Sequence, residues 1–273
     1  MTRNRYFLYL DILGFSDLVK EKNESVIHDL YEVIASINAH RHNAFKVIVF
    51  SDTVIVYNIN NGDSVEDSRY LIMFLCEFAK DLMHRLTGRG IFFRAVINHG
   101  DFTHYELNGI PCFFGNALIE AYRSEKELKA IGLFIHKNIS SSCDIFKFLE
   151  FNENYHFVYM TQTLAEIEYF GSDEYPLPAE LIGQAESEWY IYPEISHLSC
   201  MLSGSMNTKF CEAVREKYAA SWEMYCRYYP NITRQLVASN NDVCSIFPSV
   251  NWQPVIERYP DSYSYAIQSR VEF

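Results

Sequence analysis

The sequence predicts an α+β fold: a mostly antiparallel sheet with helices on one face, built on a ferredoxin-like βαββαβ core and followed by a C-terminal extension. Three observations carry that expectation. An apolar run of alternating character, 5–11, ends in a lone carboxylate, Asp11. Two β-branched runs flank Ser51-Asp52 within 45–58, the pattern of a hairpin. Between and after them, apolar residues recur at helical spacing.

Taken in order, 5–11 reads as a strand, and a small turn with Gly14 leads into a helical pattern. Residues 24–38 place Val26, Ile27, Leu30, Tyr31, Val33, Ile34 and Ile37 on one helical stripe. The hairpin follows, then loop residues 60–63. Ser64 with Asp67 three residues later marks a helix start, and Leu71, Leu75, Phe78 and Leu82 continue the stripe until Gly88. Residues 91–98 read as a strand, with His99-Gly-Asp turning into another at 102–107. A helix is expected at 115–129, a strand at 130–135 and a helix at 138–149. Beyond 150 the pattern weakens. Strands are expected near 155–160 and 188–192, and a helix at 211–228 broken by Pro230. The tail from 240 reads as loop. The division is a core at 1–150 and, at 151–273, strands and a helix that complete the fold or a dimer interface. Trp189, Trp222 and the tyrosines at 225–229 suit a core, a dimer surface or a sensing surface.

The chain has 273 residues, 49% hydrophobic and 21% charged, as in a globular protein with a sizeable core. Its net charge of −12 argues against non-specific nucleic-acid binding, which needs basic surface. A polyanionic ligand must therefore bring cations or meet a local basic cluster. Seven cysteines without CxxC or zinc spacing read as free thiols in a reducing compartment. No run approaches the length of a membrane span, and Asp11 interrupts any signal-peptide core, so a cytoplasmic location with no membrane partner is expected.

A carboxylate at the end of a buried strand beside a glycine turn suits a metal–phosphate site: the acid holds a cation and free turn amides face phosphate oxygens. An Asp at a strand end is also a common cap or turn residue, as is Asp52 in a hairpin tip. In a βαββ unit the first strand and the hairpin can lie side by side. Asp11 and Asp52 then meet at one edge, the minimum for a two-cation site.

Leu10-Asp11-Ile12-Leu13-Gly14-Phe15-Ser16 resembles the (F/A)DIxGF(T/S) motif of class III nucleotidyl cyclases. Phe50-Ser51-Asp52 falls where that family has its second metal Asp, usually preceded by Gly. Arg94-Ala-Val-Ile-Asn-His99-Gly100 resembles its RxGxHxG segment, and Gly115-Asn-Ala-Leu-Ile-Glu-Ala121-Tyr-Arg123 its GxxVNxAxR helix start. The four stand in order over residues 6–137, about half of the chain.

The resemblance implies the cyclase fold and a set of roles. Asp11, Asp52 and the Ile12 carbonyl hold two Mg²⁺ or Mn²⁺ per site. The backbone of Leu13, Gly14, Phe15 and Ser16 cradles the β- and γ-phosphates. Arg94 faces the triphosphate, and Arg123 stabilises charge at the α-phosphate, where its planar fork donates to two oxygens. The family's site is shared by two domains, which implies a homodimer with composite sites.

Departures from the pattern bear on the base. The ribose-orienting Asn falls on Ile119, with Asn116 or Glu120 as the nearby substitutes. The purine selectors fall on Ile48 and Cys112, and bulky Phe50 and Tyr122 sit close by. A pocket without purine partners but with added rings is consistent with a smaller base, as in the similar pyrimidine cyclases of Pycsar antiphage defence. That implies UTP as substrate, cyclic UMP as product and a separate effector activated by it. The alternatives are a cytidylate cyclase, a purine cyclase, a catalytically dead nucleotide sensor and a phosphohydrolase using the same carboxylates.

Overall fold

The computed structural model describes residues 3–37, 43–60, 62, 64–171, 175–179 and 188–258. The chain divides into two compact units. The first comprises Met1–Leu82, Phe92–Leu128 and Gly132–Met160; the second comprises Met83–Ile91, Lys129–Ile131 and Thr161–Phe273.

The first unit holds one mixed, mostly antiparallel sheet. Its strands are β1 (Arg3–Ile12), β2 (Phe45–Phe50), β3 (Thr53–Asn58), β4 (Phe93–Leu107), β5 (Ile110–Phe114), β6 (Gly132–His136), β7 (Phe148–Glu150) and β8 (Tyr155–Val158). They run β2-β3-β1-β4-β6-β8-β7, with β5 paired to the outer part of β4. The β4–β6 pair is parallel and the other pairs are antiparallel. The segment β2-β3-β1-β4 is the expected βαββαβ arrangement.

The helices of this part are α1 (Phe15–Lys20), α2 (Glu24–Ser36), α3 (Val65–Leu86) and α4 (Asn116–Glu127). Alternation on β1 sends Tyr6, Leu8 and Leu10 to one face and Phe7, Tyr9 and Asp11 to the other. The Tyr6 hydroxyl bonds Ser68 of α3, and Tyr31 of α2 lies near Val49. Phe7, Tyr9, Ile55 and Tyr57 instead pack with Ala117 and Ala121 of α4. The expectation of helices on one face thus holds for α2 and α3, while α4 covers the opposite face. Small side chains allow its close approach: a Cβ on Gly100 would stand only 3.5 Å from that of Ala117. At Gly115 (φ 154°) a Cβ would meet the Asp101 carbonyl oxygen at 2.1 Å, so glycine is required where α4 leaves the strand.

Other expectations are corrected. There is no turn at His99–Asp101; β4 runs on to Leu107, and the chain reverses at Asn108 and Gly109, both at positive φ. The helix expected at 138–149 is a 3-10 turn at Ser140–Ser142 followed by β7. There the Ser140 hydroxyl donates to the Lys137 carbonyl, a local bond that competes with helix.

The second unit is helical: α5 (Gln162–Phe170), α6 (Glu188–Met206), α7 (Glu212–Tyr228), α8 (Pro230–Ala238) and α9 (Gln253–Arg258). The strand expected at 188–192 is the start of α6. Ile191, Ile195, Leu198, Met201 and Leu202 recur at helical spacing and are buried. Pro230 ends α7 and begins α8, where a missing N–H costs nothing, and Glu168 accepts from the amides of Asn231 and Ile232. Tyr225 and Tyr229 are core residues and Trp222 is half-buried; the Trp189 side chain lies outside the described residues. The 240–258 segment is not plain loop: it forms a turn at Val243–Ile246 and α9, and it buries Phe247 and Trp252.

One buried group sets a pH dependence here. Burial, helped by the neighbouring His84, pushes the His197 imidazole down to about 3. The unfolded chain therefore binds a proton below about pH 6.5 that the folded chain refuses. This part of the stability is complete above that pH. It falls by about 1.4 kcal/mol per unit as pH drops toward 3. His197→Phe is expected to flatten that slope in urea titrations at pH 7 and pH 5.

Candidate active site

β1 delivers Asp11 to the α4 face, two residues beyond Tyr9. In the sheet register Asp11 stands opposite Thr53 of β3 and Arg94 of β4. The Ile12 amide donates to the Asp52 carbonyl at 2.9 Å, so the tip of the β2–β3 hairpin abuts the end of β1. That tip is a two-residue turn, Ser51-Asp52, and the Tyr31 hydroxyl donates to the Ser51 carbonyl at 3.0 Å.

Ser51 has φ 56°, a left-handed conformation that costs a non-glycine residue about 1–2 kcal/mol. Glycine's greater entropy loss returns about 0.4–1 kcal/mol of that. Ser51→Gly is therefore expected to raise stability by about 0.5–1 kcal/mol in chemical denaturation. The same geometry explains why a glycine is usual here in the family that the motif resembles.

Tyr9 shares the face of β1 that carries Asp11. Burial raises the Tyr9 phenol and its 3.4 Å contact with Thr53 opposes this, while the charges of Asp11, Asp52 and Tyr122 push it further up. Asp11 is 22% exposed at its side chain and Asp52 is half-buried, so both remain open to solvent or ligand. Beside them Gly14, at φ 77°, turns the chain into α1, and the Leu13 amide is tied to the Phe92 carbonyl at 2.9 Å. The amides of Phe15 and Ser16 open the helix, where an N–H has no intrahelical acceptor.

Arg94 lies beside Asp11 but is 5% exposed. Its guanidinium is 3.9 Å from the Asp11 carboxylate, forms an ion pair with Glu125 of α4, and donates to the Leu128 carbonyl at 2.6 Å. Burial lowers its pKa, with Asp11 and Tyr9 acting the other way. Its side chain is thus engaged inside the unit rather than extended into solvent.

Arg123 and Asn116 are exposed on α4. The helix packs through Ala117, Ala121 and Glu125, and Arg123 lies two residues from each of the latter two, on the side turned away from the sheet. Within one chain it is directed away from Asp11. Tyr122 is 48% exposed with its ring 6.5 Å from that of Tyr9, and Ile119 is 48% exposed.

The positions expected to surround the base divide. Ile48 packs against the Tyr9 cluster, and Phe50, 73% exposed, flanks the hairpin tip. Cys112 stands on β5 opposite Tyr105, on the arm beyond the other end of β4. The contributors that sequence reading missed are Tyr9, Tyr31 and Glu125. Tyr9 was signalled by alternation from Asp11, and Glu125 by its place in the Ala117–Ala121–Glu125 stripe; nothing local signals Tyr31.

The donor set suits a hard divalent cation: two carboxylates and a strand-end carbonyl offer oxygen, and the remaining positions fall to water or phosphate. The Asp11–Thr53 pairing and the Ile12 amide bond to the Asp52 carbonyl bring the two acidic residues to the same end of the sheet, as such a cation requires. Another group with metal-ligand chemistry among the described residues, His28, Asp29 and Glu32, is exposed on α2. All seven cysteines are free, and no helix among the described residues is long and apolar enough to cross a membrane.

No family model and no curated protein matches the sequence. Among solved structures, the chain is similar to the adenylyl cyclase CyaB from P. aeruginosa at 12% identity and TM-score 0.42, over 58% of this chain and 95% of that one. It is similar to the guanylyl cyclase Cya2 at 10% identity and TM-score 0.42, over 58% and 92%. A third is the monomeric guanylyl cyclase domain of the RhoGC fusion protein from the aquatic fungus Blastocladiella emersonii, at 14% identity and TM-score 0.41, over 57% and 95%.

Proposed function

We propose that the chain is a nucleotidyl cyclase that converts UTP to 3′,5′-cyclic UMP and pyrophosphate, and that the product activates a separate antiviral effector. The observation that carries this reading is the adjacency of Asp11, opposite Thr53, to the Asp52 hairpin tip that the Ile12 amide holds against the end of β1, beside the Gly14 turn. Asp11, Asp52 and the Ile12 carbonyl hold two Mg²⁺ or Mn²⁺. When bound, these cations lower the pKa of the attacking 3′-hydroxyl and offset charge at the reacting phosphorus. The Phe15 and Ser16 amides hold the terminal phosphates, and the leaving pyrophosphate departs in line. Arg94 acts as a positioning residue that sets Asp11 against Glu125.

Arg123 serves the site of a second copy. Its exposure on the outer side of α4, beside the exposed apolar residues Ile119 and Tyr122, supports a homodimer with composite sites. Ile48 in place of a purine selector, with the exposed rings of Phe50 and Tyr122, supports a pyrimidine. A guanine reading requires a Glu partner for Cys112, and the place where that partner would stand is the apolar Ile48.

Mass spectrometry of products from an equal mixture of the four ribonucleoside triphosphates with Mn²⁺ tests the reaction. Cyclic UMP is the expected main product, and cyclic AMP or GMP in its place overturns the base assignment. Mixing Asp11→Asn with Arg123→Ala chains tests the composite site. Each alone is expected to be inactive, and random pairing should restore about a quarter of wild-type activity. No recovery after subunit exchange would place both residues in one protomer's site.

A further inference from the structure

Two parts of the candidate site are set on different elements: the Gly14 turn opens α1, and Asp52 sits at the β2–β3 tip. Both reach the same residue of α2. The Tyr31 ring lies 6.3 Å from that of Phe15, the first residue of α1. The Tyr31 hydroxyl donates to the Ser51 carbonyl at 3.0 Å, one residue before Asp52. Tyr31 therefore spans from the turn to the tip.

Among the described residues, packing gives the tip little support on this side. Val49 and Phe50 are exposed. Between α2 and the hairpin lies a cavity of about 410 Å³ lined by Tyr31, Ile34, Ala35, Val49 and Ser51. A segment with few buried contacts moves easily unless polar bonds tie it down. Ser51 is held at φ 56°, a conformation that persists in a non-glycine residue only where its surroundings impose it. Two bonds reach the tip from outside the hairpin: the Ile12 amide to the Asp52 carbonyl on the β1 side, and the Tyr31 hydroxyl to the Ser51 carbonyl on the α2 side. The first joins backbone to backbone, which almost any sequence supplies. The second needs this side chain. Burial raises the Tyr31 phenol and the Asp52 charge raises it further, so the hydroxyl keeps its proton and stays a donor.

The other end of the bridge is firm. Phe15 is buried, and its amide and that of Ser16 open α1. A cation that meets both Asp52 and a phosphate held at the turn needs the two at a set separation. A misplacement of about 1 Å at a reacting centre can cost about a hundredfold in rate. We propose that Tyr31 is a positioning residue that sets this separation, with its ring against Phe15 and its hydroxyl on the Ser51 carbonyl. This role rests on the reading of Asp11 and Asp52 as cation ligands, and it names what holds Asp52 in place.

Titration of the full chain with Mn²⁺ alone, with the free ion followed by electron paramagnetic resonance, tests it. Tyr31→Phe keeps the ring and removes the bond, and is expected to raise the Mn²⁺ dissociation constant about threefold to tenfold. The Tyr31 side chain is exposed and the freed carbonyl can turn to water, so the urea midpoint should not change. With UTP, turnover by Tyr31→Phe should fall by a similar factor at limiting Mn²⁺ and return to near wild type at saturating Mn²⁺. Tyr31→Leu, which also takes the ring from Phe15, should weaken Mn²⁺ binding more than tenfold. Tyr31→Phe binding Mn²⁺ as the wild type does, or a deficit in turnover that saturating Mn²⁺ leaves in place, overturns the proposal. So does a urea midpoint that falls in step with the affinity, which would make the hydroxyl's role structural only. Asp52→Asn separates this proposal from the reading it rests on. If Asp52→Asn loses Mn²⁺ and Tyr31→Phe does not, the cation site stands and the role of Tyr31 falls. If the wild-type chain binds no Mn²⁺, both fall.

Discussion

Asp11→Asn is expected to lower cyclic nucleotide formation by about a thousandfold or more while leaving the fold intact. The substitution keeps size and removes the charge at the end of β1, beside the Asp52 tip. A cation site left with Asp52 alone no longer has the shared negative charge that holds two divalent ions close together. Arg94 retains Glu125 and the Leu128 carbonyl, so no buried cation is stranded by the change. Product formation followed by mass spectrometry, with urea denaturation in parallel, separates these effects. Unchanged output from Asp11→Asn would favour a nucleotide sensor over an enzyme. Release of inorganic phosphate in place of pyrophosphate by the wild-type chain would favour a phosphohydrolase.

Glu125→Ala should do the reverse, damaging the fold first. Glu125 and Arg94 are 8% and 6% exposed at their side chains, and Glu125 is the closer of the two carboxylates beside Arg94. Removing it leaves a buried guanidinium with only the more distant Asp11 for charge compensation. Breaking a buried pair in this way costs about 3–5 kcal/mol. The urea midpoint should fall accordingly, and activity should fall with it because Arg94 will be drawn toward Asp11. Replacing both partners with apolar residues, Arg94→Met with Glu125→Leu, should recover most of the stability, since the desolvation cost disappears with the charges. A single-variant loss below about 1 kcal/mol would show that the pair is effectively solvated.

The half of the chain that carries periodic signals was readable. Strand alternation at 5–11, the 45–58 hairpin and the stripes of α2 and α3 depend on contacts a few residues apart, and they occur where expected. The Asn108-Gly109 reversal was equally local, and it went unread because His99-Gly-Asp offered a nearer turn pattern. A strand passes through that pattern when a long neighbour pairs it throughout, as β1 pairs β4 from Phe93 to Phe102. The α6 helix was missed because Trp189-Tyr-Ile-Tyr favours a strand over four residues, whereas burial over nineteen favours a helix. At the candidate site the positions of Asp11 and Asp52 were legible from the motifs. The internal engagement of Arg94 was not, since Glu125 is 31 residues away and meets it only through the packing of α4 on the sheet.

The two carboxylates sit on parts of the sheet that are paired to different extents. β1 is paired on both sides over Phe7–Asp11, the half that carries the carboxylate, so its backbone there is released only when the unit opens as a whole. Asp52 lies at a two-residue tip leading out of β2, the strand that ends the sheet's path. One ligand of the proposed cation pair therefore sits in the paired interior of the sheet, and the other rides on an edge tip whose backbone is tied to Ile12 and Tyr31, so that its adjustment lies in its side chain. A triphosphate and its cyclised products differ in length and charge separation. A site with one anchored and one adjustable carboxylate can follow that change without deforming the core that holds it.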